Sequence, residues 1–343
     1  MKRKILFNGF KFLPDALTKY LLSNRVATYF FPKPSKFDFI SNFLQFRKLR
    51  KSGEIAKYTV IHINNWENFL NIKYKKPHQI WIAESHGIHM GLNDKIAISQ
   101  SRGVKKLIGN LLFRIFSRLI IKSIKKFDIY LVAIPNALRY AKMIRSDAAW
   151  LPNPINDYFF EKIKPTPLDG SPAVFFPTRF HPVKNPLFGI KIFERILRKY
   201  PKAKLHLIKY GKNLSQEDKY VKQLSRLSKN IVYHNLLKKE ELAAMYRSAD
   251  LVLGAFNQNE YYANLNLIEL EAMACGAAVI AHDKYEFIKK DLDELPDMAL
   301  KLIEDSKFKS RYIEQSKKYV RKIHSAEKIA KKYEQIIKTH CSF

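Results

Sequence analysis

The stretch that decides the fold is DLVLGAFNQNEYYANLNLIELEAMACGAAVIA, residues 250–281. Residues 250–255 form a short apolar run typical of a strand, and after a polar loop residues 265–275 favour a helix that ends at Gly276. Residues 277–281 are small or β-branched and uncharged, which predicts a parallel strand buried on both faces. The helix therefore directs its free N–H groups at the carboxyl end of a strand, a place suited to bind an anion.

One charged residue on this helix does not fit a purely structural role. Leu267, Leu270 and Ala274 have helical spacing and predict a buried stripe, and Glu271 lies beside that stripe. A carboxylate near a core needs a partner. Two interpretations are open, because Glu271 either accepts hydrogen bonds from the two hydroxyls of a ribose or is an ordinary solvated or salt-bridged glutamate.

The segment ELEAMACGAAVIA, residues 269–281, resembles the signature of the retaining glycosyltransferases of family 4, also called glycosyl transferases group 1. The resemblance implies a GT-B fold, in which two Rossmann-like doubly wound parallel-sheet domains face a cleft, and it implies that Glu271 holds the ribose of a nucleotide sugar. Many members carry another glutamate eight residues earlier, which contacts the donor sugar. This chain has Ala263 at that position, and Glu260 lies three residues before it.

Composition supports two domains. The chain has 343 residues, 47% of them hydrophobic, which is enough for two cores and excludes a disordered chain. Cys275 and Cys341 are the only cysteines, so we expect free thiols in a reducing compartment. The start MKRKILFNGF predicts a first strand instead of a signal peptide, and no 18-residue uncharged segment occurs. The expected location is cytoplasmic.

The first domain is predicted over residues 1–155, as a Rossmann-like, acceptor-binding domain. Residues 4–8 form its first strand, and Gly9 would let the backbone approach a ligand phosphate. In QIWIAESHGIHMG, residues 79–91, His86 follows a strand at the edge where such sheets hold ligands. His86 is either a buried histidine bound to a loop carbonyl or, as the resemblance implies, a catalytic residue where donor and acceptor meet.

The second domain is predicted over residues 173–307, after a proline-bearing linker at 156–172. It opens with AVFFPTRFHPVKNP, residues 173–186, where Arg179 and Lys184 would converge on one pyrophosphate. The resemblance implies that this pair binds the donor diphosphate and has a catalytic role. Asn185 stands where the family usually has a glycine. Residues 308–343 are predicted as helices that return to the first domain.

Further donor-binding positions follow from the resemblance alone. They are Gly211, the Leu237 backbone, and the helix start at Asn264 and Leu265. Asp291 and Asp293 form an Asp-x-Asp string within an acidic run, and we reject it as a metal site because GT-B enzymes do not depend on such a metal. No metal and no cofactor is expected, and the nucleotide-diphosphate sugar is a substrate.

A basic amphipathic helix is predicted within residues 102–126. No acidic residue occurs from Lys95 to Phe127, and Arg114, Arg118, Lys122 and Lys125 repeat at helical spacing. The stripe favours contact with an anionic membrane surface. A well-packed helix with a solvated basic face is the equal alternative.

Together these features predict a hexosyltransferase that moves a hexose-like sugar from a nucleotide-diphosphate sugar to a glycan or lipid-linked acceptor, with retention at the anomeric carbon, on the inner face of the membrane. The alternatives are a catalytically degenerate, transferase-like binding protein, a GT-B nucleotide-sugar epimerase, and a basic nucleic-acid-binding protein. The last would explain the net charge of +31, but no reading helix or aromatic-interleaved basic loop accompanies it.

Overall fold

A computed structural model describes most of the chain. The described residues are 4–8, 12–21, 25–29, 38–64, 66–85, 103–180, 184–209, 220–256, 267–282 and 291–340. The chain divides into two compact units, one of Met1–Pro154 with Ala326–Phe343 and the other of Ile155–Ser325. Each unit contains one parallel sheet with helices.

The first unit is built on a six-stranded sheet in the order β2-β1-β3-β4-β5-β6, with all pairs parallel. Its strands are β1 (Lys4–Asn8), β2 (Arg25–Tyr29), β3 (Val60–Ile63), β4 (Ile80–Ser85), β5 (Ile129–Val132) and β6 (Ala149–Trp150). Its helices are α1 (Phe12–Leu17), α2 (Asp38–Lys51), α3 (Val104–Ile124), α4 (Leu138–Ile144) and, from the end of the chain, α11 (Ala326–Thr339). Shorter 3-10 turns span Glu54–Lys57, Trp66–Tyr74 and Pro135–Ala137.

Both faces of this sheet are covered, as expected for a doubly wound parallel sheet. Successive residues of a strand point to opposite faces, so Leu6 of β1 packs in a cluster with Ile120 and Ile124 of α3. Ile5 lies in a second cluster, with Tyr333 of α11. The near-continuous apolar runs of these strands are the sequence counterpart of this double burial.

The second unit is built on a five-stranded sheet in the order β11-β10-β7-β8-β9, again with all pairs parallel. Its strands are β7 (Ala173–Phe176), β8 (Lys204–Ile208), β9 (Ile231–His234), β10 (Leu251–Leu253) and β11 (Val279–Ile280). Its helices are α5 (Pro186–Lys199), α6 (Val221–Arg226), α7 (Lys239–Ser248), α8 (Leu267–Cys275), α9 (Leu295–Glu304) and α10 (Ser306–Ile323). Single 3-10 turns span Asp157–Phe160, Ser228–Asn230 and Leu292–Glu294.

The segment interpreted from sequence as a linker, residues 156–172, lies in the second unit and not between the units. Ile155 and Phe159 are buried in that unit's core, and the Ile155 N–H donates to the His324 carbonyl at 2.8 Å. Prolines keep this segment irregular, yet its apolar side chains still pack. The predicted terminal helices at 308–343 are α10 in the second unit and α11 in the first.

Candidate functional site

The strand order of the second sheet identifies where a ligand would bind. From β7 the chain proceeds through β8 and β9 to one side and then crosses to β10 and β11 on the other. The order therefore reverses between β7 and β10, and open parallel sheets hold ligands outside the carboxyl ends of their strands at such a point. The loops that follow β7 and β10 lie at this point of the sheet.

The loop after β7 carries Arg179 on an anchored backbone. The neighbouring Phe180 is buried, with its ring 5.4 Å from Phe176 and 5.6 Å from Tyr220 between centroids. Arg179 itself is exposed. Packing of Phe180 thus holds the guanidinium-bearing residue at the carboxyl end of the sheet's central strand.

Lys184 and Asn185 are tied to the segment that follows β10. The Lys184 carbonyl accepts the Phe256 N–H at 2.9 Å, and the Asn185 amide donates to the Phe256 carbonyl at 3.0 Å. Asn185 has a φ of 47°, in the left-handed region that asparagine tolerates better than other non-glycine residues. This conformation explains why glycine or asparagine suits the position, and it places Lys184 directly before α5.

A buried carboxylate, Glu269, organises the strand ends around that segment. Its Oε1 accepts the Ala255 N–H at 2.8 Å, and the Ala255 carbonyl accepts the His282 N–H at 2.9 Å. A Cβ added at Gly254 would lie 2.6 Å from the same Oε1, so glycine is required for the carboxylate to sit there. Glu269 therefore joins the start of α8 to the loops that follow β10 and β11.

Sequence reasoning missed Glu269 and singled out Glu271 alone. A signal was available, because Gly254 directly follows a strand and two glutamates stand one residue apart on the next helix. Residues two apart on a helix point in directions about 200° apart, so the two carboxylates serve different sides of α8. Most other side chains of this helix, including Leu270 and Ala274, are also buried.

Glu271 is a partly exposed carboxylate on α8. Among the described residues no donor lies within hydrogen-bond distance of it, and burial raises its pKa to about 8, with the charge of Lys239 at the start of α7 opposing the rise. Burying a carboxylate without hydrogen bonds is unfavourable, so such a group is retained where a ligand supplies the donors. Glu271 has the properties of a binding group.

Leu237 lies in the short connection between β9 and α7, close in sequence to Lys239. Its side chain is half-buried against the core of the second unit, while the neighbouring Leu236 is 72% exposed. The Lys238 N–H donates to Glu241 Oε2 at 2.7 Å, which fixes the start of α7. The connection presents backbone groups at the carboxyl edge of the sheet.

The other predicted site residues lie outside the described residues. They are Gly9, His86, Gly211, Asn264 and Leu265, together with Glu260 and Ala263. Nothing about their placement enters the site described above.

The polar residues before His86 have structural partners in the first unit. His62 Nε2 lies 2.9 Å from Glu84 Oε2, and His62 Nδ1 lies 3.0 Å from the Tyr333 hydroxyl, with all three side chains buried. Ser85 Oγ lies 3.2 Å from the Tyr130 hydroxyl. Glu84 and Ser85 are the last residues of β4; Glu84, through His62, joins the sheet to α11, and Ser85 joins β4 to β5.

The described residues contain neither a metal centre nor a membrane-spanning helix. Among the described residues, no group of three or more His, Cys, Asp or Glu side chains is placed to hold a metal ion. No helix in the described part of the chain has the length and apolar character needed to span a bilayer.

Comparisons with known proteins agree with this architecture. The family model for glycosyl transferases group 1 matches residues 159–339, more than half of the chain. Sucrose-phosphate synthase from Thermosynechococcus elongatus is similar with a TM-score of 0.71 and 15% identity, covering 99% of both chains. A search of curated protein sequences found no significant match.

Two further solved structures are similar over nearly the full length. HepE from Anabaena in complex with UDP-glucose has a TM-score of 0.71 and 13% identity, covering 98% of this chain and 100% of that one. A glycosyltransferase from Rickettsia africae has a TM-score of 0.65 and 12% identity, covering 99% of each. At these identities the likeness establishes the fold, which is GT-B.

Proposed function

Because this chain belongs to the glycosyl transferases group 1 family and has the GT-B fold, we propose that it moves a hexose-like sugar from a nucleotide-diphosphate sugar to a glycan or lipid-linked acceptor, with retention at the anomeric carbon. The observation that carries the proposal is Glu271, a carboxylate near the carboxyl edge of the second sheet for which the described residues provide no hydrogen-bond donor. A ribose supplies two vicinal hydroxyls, which are the donors this carboxylate lacks.

The diphosphate is assigned to the loop that follows β7. Arg179 offers a planar fork of N–H donors and Lys184 a compact charge, and the two suit the several oxygens of a pyrophosphate. Backbone hydrogen bonding of Phe256 with Lys184, and the bond that the Asn185 amide donates to Phe256, hold Lys184 in a defined loop. The proposal therefore assigns Arg179, Lys184 and Glu271 to one nucleotide diphosphate at the carboxyl edge of the second sheet.

Transfer with retention needs little covalent chemistry from the protein in the proposed mechanism. The bond between the anomeric carbon and the diphosphate oxygen breaks, and the acceptor oxygen forms its bond from the same face of the sugar. The acceptor proton passes to the leaving diphosphate. The protein then contributes positioning and charge stabilisation, with Arg179 and Lys184 on the developing dianion.

Roles in the first unit extend the proposal. His86 would contact the transferring sugar or the acceptor, a prediction on a residue outside those described. A lipid-linked acceptor would bring the protein to the inner face of a membrane. The donor base is proposed as uracil, because the similar HepE structure contains UDP-glucose.

A thermal-shift screen of nucleoside diphosphates tests the donor site directly. A ligand at a hundredfold excess over its Kd stabilises the native state by about 2.7 kcal/mol, so one diphosphate, expected to be UDP, should raise the Tm clearly above the others. Above pH 8, where the Glu271 carboxyl is ionised, the donor affinity of Glu271→Gln should be about ten- to a hundredfold lower by calorimetry, because charge-assisted hydrogen bonds contribute roughly 1.5–3 kcal/mol.

A matched control is Glu314→Gln, which makes the same change at an exposed glutamate of α10 and should leave affinity unchanged. No shift with any diphosphate would contradict the proposed function. Binding without turnover by the wild-type chain would favour the degenerate, transferase-like binding protein. Wild-type affinity in Glu271→Gln would remove this residue from the donor site.

A further inference from the structure

Helix α3 exposes a stripe of large apolar side chains to solvent. Their exposed fractions run from 44 to 72% for Val104, Leu107, Ile108, Leu111, Ile115 and Leu119. The other exposed large apolar side chains among the described residues form no such stripe along a helix; they are Leu44, Met143, Leu187, Tyr233 and Leu236. A contiguous apolar stripe of this kind marks an interaction surface, whereas single exposed side chains do not.

The stripe is distinct from the side of α3 that packs on the core. At 100° per residue its six members fall within an arc of about 120°. The opposite side carries Ile120 and Ile124, which are buried in the first unit's core, with Phe113 and Phe116 packed against it. The helix thus has two apolar sides, and the first unit's own core accounts for only one.

Positive charge accompanies the exposed stripe. Arg114, Arg118, Lys122 and Lys125 are exposed and project from the same half of the helix. The sequence contains no acidic residue from Lys95 to Phe127, so the surface carries no countercharge of its own. The exposed apolar side chains begin in the first turn of α3, and the four basic side chains alternate with them in its second half.

We propose that α3 docks lengthwise on an anionic bilayer, with the apolar stripe inserted at the boundary between headgroups and acyl chains and the four basic side chains on lipid phosphates. Interfacial helices bind through this combination of buried apolar area and attraction to anionic lipid. This mode of binding differs from a purely electrostatic contact, because the apolar side chains of the stripe are transferred from water into the bilayer interface. It is also independent of the donor site, which lies in the other unit.

A second copy of the chain fits this surface less well. A symmetric interface places the same patch on both subunits, so two α3 helices would bring eight like charges into one contact without an acidic partner from either helix. Anionic headgroups supply the opposite charge, and acyl chains accept the apolar stripe. Both properties of the surface are met by one partner.

The test measures binding of the full chain to vesicles of phosphatidylcholine with and without phosphatidylglycerol, by co-sedimentation. Wild-type protein should bind the anionic vesicles and show much weaker binding to the neutral ones. Arg114→Gln/Arg118→Gln/Lys122→Gln should weaken binding by about a hundredfold, since each cation near the surface contributes separately. Leu107→Ser/Leu111→Ser should weaken it by roughly tenfold or more, because the apolar area is removed.

Matched controls make the same changes elsewhere. Met143→Ser removes a single exposed apolar side chain of the first unit, and Lys307→Gln/Arg311→Gln/Lys318→Gln removes three exposed charges from α10. Both should bind anionic vesicles as wild type does. The Tm of each variant, with and without UDP, reports folding and the donor site separately.

Three outcomes would overturn the proposal. One is absence of binding to anionic vesicles by the wild-type chain, and another is unchanged binding in either α3 variant. The third is a dimer in solution that Leu107→Ser/Leu111→Ser dissociates, which would assign the stripe to a second copy. Failure of UDP to shift the Tm would instead count against the donor site and leave the membrane surface standing.

Discussion

The two sheets each place a glutamate near their carboxyl edge, but in opposite electrostatic situations. In the first unit, Glu84 is buried and bonded to His62, which in turn contacts Tyr333. In the second, Glu271 is partly exposed, has no donor among the described residues, and has a pKa raised to about 8 by burial. The Glu84 carboxylate contributes to the stability of the first unit, whereas the Glu271 carboxylate is proposed to bind a ligand.

Glu269 sharpens the comparison within a single helix. It is as fully buried as Glu84 and, like Glu84, has a donor inside the protein, the Ala255 N–H at 2.8 Å. Glu271 lies two residues away on α8, and the described part of the chain offers it no such donor. Whether a buried glutamate is structural or functional is therefore decided by what faces it, not by its type or its depth in the protein.

The largest effect is expected from His62→Ala. The change leaves the buried Glu84 carboxylate and the Tyr333 hydroxyl without this partner, so the free energy of unfolding should fall by about 3–5 kcal/mol in urea titration. Tyr333→Phe, which removes one bond and keeps the ring, should lose only about 1 kcal/mol. If His62→Ala lowered the free energy of unfolding by less than about 1 kcal/mol, Glu84 would have no structural role.

The next effect is on turnover at the second sheet. Arg179→Ala and Lys184→Ala should each lower the rate of sugar transfer by roughly a hundredfold or more, because each removes charge stabilisation from a developing dianion. The Tm should stay close to that of the wild type. Lys191→Ala, at an exposed position on α5, is the control and should transfer sugar normally. Near-normal turnover in either variant would make that residue an ordinary surface cation.

Glu271→Gln should change unfolding in the direction opposite to His62→Ala. The folded-state pKa of about 8 lies above the ordinary value of 4.5, so ionisation of Glu271 lowers stability as pH rises between these values. Above pH 8 the variant without ligand should be more stable than wild type by on the order of 1–3 kcal/mol, and this gain should shrink as the pH falls toward 4.5. A loss of stability at high pH would mean that Glu271 has a donor in the folded protein.

The smallest effect concerns His206 and His234. Their rings are bonded at 2.9 Å, and burial lowers the pKa of both below 6.5. A lowered histidine pKa stabilises the fold above pH 6.5, and that contribution is lost as the pH falls through the folded-state values. His234→Gln should reduce the loss of stability on the acid side by up to about 1 kcal/mol and so flatten the acid slope, while the alkaline-side effect of Glu271 persists. An unchanged acid slope would exclude the pair as its source.

Local sequence patterns predicted much of the fold. The bounds of β1 coincide with the run predicted at residues 4–8, and β10 and β11 lie within the runs predicted at 250–255 and 277–281, each one or two residues shorter at either end. These strands are apolar on both faces, so periodicity and composition suffice to find them. The first domain was predicted to end at residue 155, and the two units divide after Pro154; residues 156–172 group with the second unit, because prolines mark irregular backbone and do not by themselves mark a boundary.

The sequence by itself determined the elements, the parallel architecture and the family, since each rests on residues close together along the chain. It also singled out Glu271, Arg179 and Lys184. Only the tertiary structure decided that Glu269 has a donor at Ala255 while Glu271 has none within the described ranges, and that one apolar side of α3 meets the core while the other stays exposed. The physical reason is that hydrogen-bond satisfaction and burial depend on groups distant in sequence, which a pattern of spacing does not contain.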